Sequence, residues 1–297
     1  MSSFGLSCKP RPSDAGICNE LGYRDKYLEA LYKTLLAECR EMTKEDDWKR
    51  VEVLEVGSGY GVSTYQISEC IPEIRSVLGV DADPEIVDSA FELHADEKVD
   101  FACANIEDIT SFNIKWAGAF DWLFSTHPLL WAKEQTNILR NLMWCLKPGG
   151  RCFFAVPASK PPDVHSAATR VINSTNWKKY FESISDVVAD LTDENFNRLW
   201  FHHPQADRVY SALLEQVGYQ VLHTRQIQFR YVFLTEDEYK ECLKEIFRKP
   251  IETVQESKRA ALIKDLIKAA TKKVKKTNNR KYVWSIHYVA VIAKRPD

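Results

Sequence analysis

The stretch "VEVLEVGSGYGVSTYQI", Val51 to Ile67, decides how this chain is read. A β-branched apolar run ends in Glu55 and Val56. Glycines then occupy 57, 59 and 61, and a helical pattern starts at Val62. The pattern predicts a strand, a tight turn and a helix. Glycine has no Cβ, so it permits the turn and leaves bare peptide groups against which a flat or charged ligand can lie. Glu55 sets a carboxylate just in front of them.

The same alternation continues outward. Before the turn, Tyr27, Leu28, Leu31, Tyr32, Leu35, Leu36 and Cys39 form one stripe of a helix that starts at Tyr23. After it come a helix over 62–70 and a strand over 76–80. Asp83-Pro84 opens a helix to His94 as N-cap and first-turn proline. Strands follow at 99–104, 119–125 and 151–157, with a helix over 135–146 and "KPGG" (147–150) as a turn. Further on, the pattern predicts a helix over 208–217, an extended stretch over 219–233, and a helix from the capping box "TEDE" (235–238) to Phe247. A helix within 252–274 and a long strand over 282–294 complete the chain. Strands that alternate with helices and lack strict polar alternation predict an α/β fold. Its sheet is doubly wound, mostly parallel and covered by helices on both faces, with a final antiparallel strand.

Residues 1–18 read as a flexible N-terminus and 19–297 as one domain. Within it, 158–203 interrupts the rhythm with aromatics and is expected to be a helical cap over the sheet, following strand five. The chain has 297 residues, 45% hydrophobic and 28% charged, with a formal net charge of −2. That balance points to neither nucleic acid nor an anionic membrane. No run approaches a membrane span, and the first residues lack the apolar core of a secretory signal. Eight cysteines, none in a C-x-x-C pair, read as reduced thiols, so a cytoplasmic location is expected.

Ligands of open α/β sheets sit at the carboxyl ends of the strands, where the strand order reverses. The glycine turn is therefore the expected site. Its row is G-x-G-x-G, with Val62 where a dinucleotide fingerprint has its third glycine. A P-loop would need a lysine that the turn lacks. Asp81, ending "VLGVD" about 20 residues on, is placed to accept from ribose hydroxyls.

Glu55-x-Gly57-x-Gly59-x-Gly61, Asp81, "NIED" (105–108), "AFDWLFS" and "LKPGG", in that order, resemble the Rossmann-like S-adenosylmethionine-dependent methyltransferases over Val51 to Pro157. The resemblance implies S-adenosylmethionine as cofactor. The turn Gly57, Gly59, Gly61 would cradle its methionine portion, and Glu55 would accept from its amino group. Asp81 would hold the ribose, and Ala82, Asn105 and Ile106 would face the adenine. The family commonly has an acid at the position of Asn105, whose amide oxygen can still accept.

The segment from Ala119 to Gly150 resembles the juvenile hormone acid and trans-aconitate methyltransferases, which methylate carboxylates. "LGYRDKYLEAL" (21–31), "NWKKYF" (176–181) and "ALLEQVGYQV" (212–221) extend the likeness. It implies methyl ester formation on a small apolar acid of the farnesoic or juvenile hormone acid kind. Trp131 matches a carboxylate-placing tryptophan, whereas Gly22 stands where the family has a glutamine. His127, just after strand four, could supply the missing donor or act as a base for another acceptor. Trp131, Trp177, Tyr180, Phe181 and Trp200 could line the substrate pocket; they could equally be core.

Methyl transfer from a sulfonium needs alignment and exclusion of water. A carboxylate with a reference pKa of about 4 needs no base. The expected partner is a small-molecule acceptor, without nucleic acid, membrane or metal. His202-His203 lacks companion ligands, and "KKVKKTNNRK" (272–281) reads as a solvated helix end. Two alternatives stay open. One is methyl transfer to oxygen or nitrogen of another metabolite or a macromolecule; the other is a cofactor-binding relative without turnover.

Overall fold

The computed structural model describes residues 23–126, 134–158, 164–181, 205–272 and 274–297. Helix α1 (Tyr23–Glu41) buries Leu31, Leu35, Leu36 and Cys39, the stripe its spacing predicts. A short 3-10 turn at Glu45–Trp48 seats Trp48, which stacks on Trp122 with centroids 4.1 Å apart. Then β1 (Glu52–Val56), α2 (Val62–Cys70), β2 (Ser76–Asp81), α3 (Pro84–His94) and β3 (Val99–Cys103) follow. Asp83 caps α3, accepting from the backbone N–H groups of Glu85 and Ile86. Next come β4 (Phe120–Ser125), α4 (Gln135–Cys145), β5 (Leu146–Pro157) and α5 (Val164–Ile172). The chain continues with α6 (Ala206–Val217), β6 (Gln220–Val232), α7 (Glu236–Ile246), α8 (Arg248–Thr253) and α9 (Glu256–Thr271). It closes with β7 (Lys275–Lys276) and β8 (Tyr282–Lys294).

The sheet runs β3-β2-β1-β4-β5-β8-β6, with β7 joined to β8. The first five strands are parallel, and β8 is antiparallel to β5, β6 and β7. Strand order reverses between β1 and β4, which makes their carboxyl ends the switch point. One face packs Leu54, Leu78, Leu123 and Phe154 against α4 and α6. The other packs Val53, Val77, Phe124 and Phe153 against α1, α2 and α3. This is the doubly wound α/β sheet with closing antiparallel strands that the alternation predicts.

A third core lies beyond the sheet. Strand β5 pairs with β8 only as far as Pro157 opposite Tyr288, so residues 282–286 of β8 run past the carboxyl end of β5. The end of β6 pairs with this overhang, Val232 opposite Val283. Trp284 on the ribbon packs edge-on with Phe233 and with Tyr239 of α7, in one core with Leu262 and Leu266 of α9 and Ala167 of α5. Among the described residues, 11 of the 17 buried in this core come after 232, outside the expected 158–203. Within that range the structure describes α5 and a 3-10 turn at Lys178–Tyr180.

Three local readings are corrected. Residues 147–150 are not a free turn: they belong to β5, with a register shift opposite Phe120 and Trp122. Gly149 takes φ 72°, yet its N–H donates to Arg295 O, which keeps the bend inside the sheet. The run 272–281 is not a helix end. Helix α9 stops at Thr271, and the chain turns through Thr277–Lys281 into the β7–β8 hairpin. At 235–238 only half of the capping box forms. Thr235 accepts from Glu238 N, while the Glu238 carboxylate accepts from Leu234 N and the Tyr231 hydroxyl instead of Thr235 N. Among the described residues, no helix is long and apolar enough to cross a membrane. Cys39, Cys70, Cys103, Cys145, Cys152 and Cys242 are in no disulfide.

Candidate active site

The glycine turn sits at the carboxyl end of β1. Gly57, Gly59 and Gly61 have φ of 77°, 52° and 87°, left-handed values that side chains rarely adopt. The N–H groups of Gly57 and Ser58 both donate to Val80 O at 2.7 and 3.0 Å, tying the turn to β2. Gly59 N donates to Asp81 Oδ2 at 3.0 Å, and Asp83 N donates to Asp81 Oδ1 at 3.2 Å. One carboxylate thus braces the turn and the start of α3. Strand β3 is stitched to the same edge: Ala104 N donates to Asp81 O, and the Cys103 thiol lies 3.6 Å from Ala82 O.

Glu55 is buried beside this edge. Its oxygens accept from Ser63 Oγ and Thr64 Oγ1, each at 3.0 Å. Burial pushes its carboxyl up to about 8, against the lowering effect of those hydroxyls, and the nearby Asp81 raises it further. Thr64 reaches Glu55 because Gly79, its register partner on β2, has no side chain. A Cβ there would lie 2.6 Å from Thr64 Oγ1. A glycine inside a strand often marks such a close approach, so "VLGVD" carried a signal for Thr64 that the sequence reading did not use.

Glu55 also closes a small hollow of about 10 Å³, room for about one water. Tyr32, Leu35 and Leu36 of α1, Ser63 and Ile67 of α2, Phe124, Phe153 and Thr126 complete its lining. Thr126 Oγ1 donates to the Tyr32 hydroxyl at 3.3 Å. Neither residue was singled out in the sequence. Tyr32 belongs to a plain helical stripe, and only the packing of α1 over the switch point gives it a polar use.

Glu55, Gly57, Gly59, Gly61, Asp81, Ala82, Asn105 and Ile106 all lie at the carboxyl ends of β1, β2 and β3. Ala82 and Asn105 are exposed. Asn105 Oδ1 accepts from Glu107 N, and Ile106 is half-buried, with its carbonyl accepting from Asn141 Nδ2. His127, Trp131 and Trp200 lie outside the described residues, as do His202 and His203. Of the two readings left open for Trp177 and Phe181, both side chains are seen buried in the cap's core, and Trp177 Nε1 donates to Asp265 Oδ2 of α9 at 2.8 Å. Tyr180 packs half-buried against that core, 5.9 Å from Trp177 between ring centroids. Among the described residues, no cluster of His, Cys, Asp and Glu could hold a metal ion.

The residues present fit a nucleoside with a charged amino-acid tail. A Cβ on Gly59 would meet nothing within 4 Å, so the turn faces open space. The Ser58 and Ser125 hydroxyls, at the ends of β1 and β4, are buried without a hydrogen-bond partner, a cost that a ligand could relieve.

Residues 53–150 match the family described as "Methyltransferase domain". Over 111 residues the chain is 31% identical to an arsenite methyltransferase of Aquipseudomonas alcaligenes, covering 35% of this chain and 32% of that protein. It is 20% identical over 189 residues to the juvenile hormone acid O-methyltransferase of Bombyx mori, covering 63% of each. The chain thus spans about a third of the first relative and under two thirds of the second. A putative methyltransferase from Bacillus halodurans shares the fold, with a TM-score of 0.51 at 14% identity over 90% of this chain and 99% of that one. Residues 53–150 thus match a methyltransferase domain, carried on the doubly wound α/β sheet that the Bacillus halodurans protein shares.

Proposed function

We propose that this chain transfers a methyl group from S-adenosylmethionine to the carboxylate of a small apolar acid, giving a methyl ester. The observation that carries the cofactor half is the brace of Gly59 by Asp81, with Glu55 buried at the other end of the same turn. When bound, S-adenosylmethionine supplies an activated methyl group and its own leaving group. The chain's part is to grip and align. Gly57 to Gly61 offer a surface without side chains, and Asp81 keeps lone pairs for ribose hydroxyls. Glu55 offers a carboxyl to an ammonium group, which draws it to its charged form.

The carboxylate half is supported by the resemblance of the segment from Ala119 to Gly150 and by the likeness to a juvenile hormone acid O-methyltransferase. An ionised acceptor needs no base, so in this reading Glu55 and Asp81 serve the cofactor and neither has to take a proton from the acceptor. In this reading His127 and Trp131, after β4, place the acceptor. The cap formed by α5, α7, α9 and the β6–β8 overhang keeps water out.

The test is to incubate the protein with labelled S-adenosylmethionine and a panel of fatty, terpenoid and dicarboxylic acids. Label that base releases as methanol from an organic-soluble product supports the reading. Base-stable label on an amine, an arsenical, protein or RNA replaces the acceptor class. No transfer to any of them, with S-adenosylhomocysteine still bound, leaves a cofactor-binding relative.

A further inference from the structure

The run "KKVKKTNNRK" (272–281) holds six Lys and Arg and no acid, a local excess that the net charge of −2 hides. As a solvated helix end the run needs no partner; as a hairpin it projects from the cap. Strand β7 pairs with β8 at Lys275 opposite Val283 and Lys276 opposite Tyr282, and Thr277 N donates to Lys281 O across the turn. Lys275, Lys276, Arg280 and Lys281 are exposed on it. Lys264, Lys268 and Lys272 continue the charge along one side of α9, exposed and four residues apart. Like charges at that spacing destabilise a helix slightly. The dipole of α9 favours cations only within its last turn, so it accounts for Lys268 and Lys272 and not for the hairpin. The ion pairs of the neighbouring helices, Lys240–Glu236, Lys244–Glu241 and Arg248–Glu252, leave all seven cations out. An apolar side chain stands beside them. Leu234 is 69% exposed. It directly follows Phe233, whose N–H donates to Tyr282 O, and Lys276 Nζ lies 4.2 Å from the centre of the Tyr282 ring.

We infer that this hairpin and the end of α9 dock the cap on an anionic lipid surface, with Leu234 entering the headgroup boundary. Clusters of about four to eight cations bind such surfaces electrostatically. The composition favours lipid over a nucleic acid. Six of the seven cations are Lys, a point charge on a flexible stem, whereas Arg is the residue of planar, bidentate phosphate recognition. An exposed leucine gains by leaving water for acyl chains and gains nothing on a phosphate backbone. Two acids, Glu236 and Asp237, are exposed at the start of α7, and Glu236 is paired with Lys240. Acids farther off than a Debye length are screened from the surface. Binding of this kind lies on the membrane, which fits a chain in which no described helix is long and apolar enough to cross one. Residues 282–286 run past the carboxyl end of β5, so the hairpin lies at the same end of the sheet as the glycine turn. Docking brings that end toward the lipid, where an apolar acid dissolves.

Co-sedimentation of the full chain with vesicles tests this, using phosphatidylcholine alone and phosphatidylcholine with about 30% phosphatidylserine. Wild type should bind the anionic vesicles and not the neutral ones, and should come off in about 0.5 M salt, which screens the charges. Changing Lys272, Lys275, Lys276 and Lys281 together to glutamine should weaken binding at least about a hundredfold. Arg280 stays in place because its φ is already 60°. Leu234→Ser should weaken binding about fivefold. A control, Lys49→Gln with Lys98→Gln, neutralises cations that precede β1 and β3 at the amino end of the sheet, and should change binding less than about twofold. Circular dichroism and affinity for S-adenosylhomocysteine should match wild type throughout, which separates lost docking from lost folding and from failure of the proposed function. Should the fourfold variant unfold, Lys275→Gln with Lys281→Gln carries the test, with a loss of about tenfold. No binding to anionic vesicles, binding untouched by the lysine changes, or an equal loss in the control overturns the inference. So does lysine-dependent binding of RNA by a protein that ignores the vesicles.

Discussion

Gly59 donates its backbone N–H to the carboxylate of Asp81, 22 residues later, at 3.0 Å. The bond spans from the turn after β1 to the end of β2. It makes the acid a structural part of the glycine turn as well as a candidate ligand group. Charge-assisted bonds of this kind are short and strong. A carboxylate has about four lone-pair sites, so those bonded to Gly59 and Asp83 leave room for ribose hydroxyls. The acid is thus oriented before any ligand arrives.

The glycines of the turn should respond differently to a methyl group. At Gly61 a Cβ would lie 2.8 Å from Phe101 Cζ and 2.9 Å from His94 Cδ2, at φ 87°. Gly61→Ala should cost about 1–3 kcal/mol of stability through overpacking and backbone strain. At Gly59 the space is open. Gly59→Ala should cost about 1 kcal/mol from its left-handed backbone, but the methyl group projects where a ligand would lie. Thermal melts should therefore rank Gly61→Ala lower, and calorimetry with S-adenosylhomocysteine should show a clear loss at Gly59→Ala. A reversed order would move the ligand away from Gly59.

Glu55 predicts a pH dependence. Its folded-state value is about 8, pushed up by burial from the usual carboxylate range. The folded protein therefore holds a proton between about pH 4.5 and 8 that the unfolded chain has released. Stability should fall as pH rises through that window. Glu55→Gln removes the titration and should melt higher than wild type at pH 9. A cationic ligand needs the charged form, so wild-type affinity for S-adenosylhomocysteine should rise from pH 6.5 to 8, with proton release on binding. The Gln variant should bind weakly and show no such slope. Calorimetry in two buffers of different ionisation enthalpy measures the released proton directly.

Trp177→Phe separates a core role from a pocket role. It removes the bond to Asp265 that ties residues 174–181 to α9, and should cost about 1–2 kcal/mol. Affinity for S-adenosylhomocysteine and KM for the acceptor should stay unchanged. A raised KM with unchanged melting would return Trp177 to the pocket.

The fold could be read from the chain because its signals are local. The β-branched run before Gly57, Asp83-Pro84 and the stripe of α1 each fix one element by short-range chemistry. The cofactor edge was also legible, since Glu55, Gly59 and Asp81 sit at the ends of consecutive strands whose order the alternation implies. Tyr32, Thr64 and Thr126 were not. Their roles depend on which helix lies over which strand end, and nothing within ten residues of them announces it. The cap was half visible for the same reason. Trp177 could be seen as aromatic, but its partners on α7, α9 and β8 are 60 to 110 residues away in the chain.

The central claim is that the edge between β1 and β2 grips a nucleoside, with Asp81 as the ribose-holding acid. Calorimetry with S-adenosylhomocysteine on wild type, Asp81→Asn and Asp81→Ala tests it most directly. The account predicts binding by wild type, a partial loss for the Asn variant, which keeps an acceptor oxygen, and a loss of at least about tenfold for the Ala variant, with all three proteins folded. Equal affinity of the Ala variant and wild type, or no binding by wild type, would contradict it.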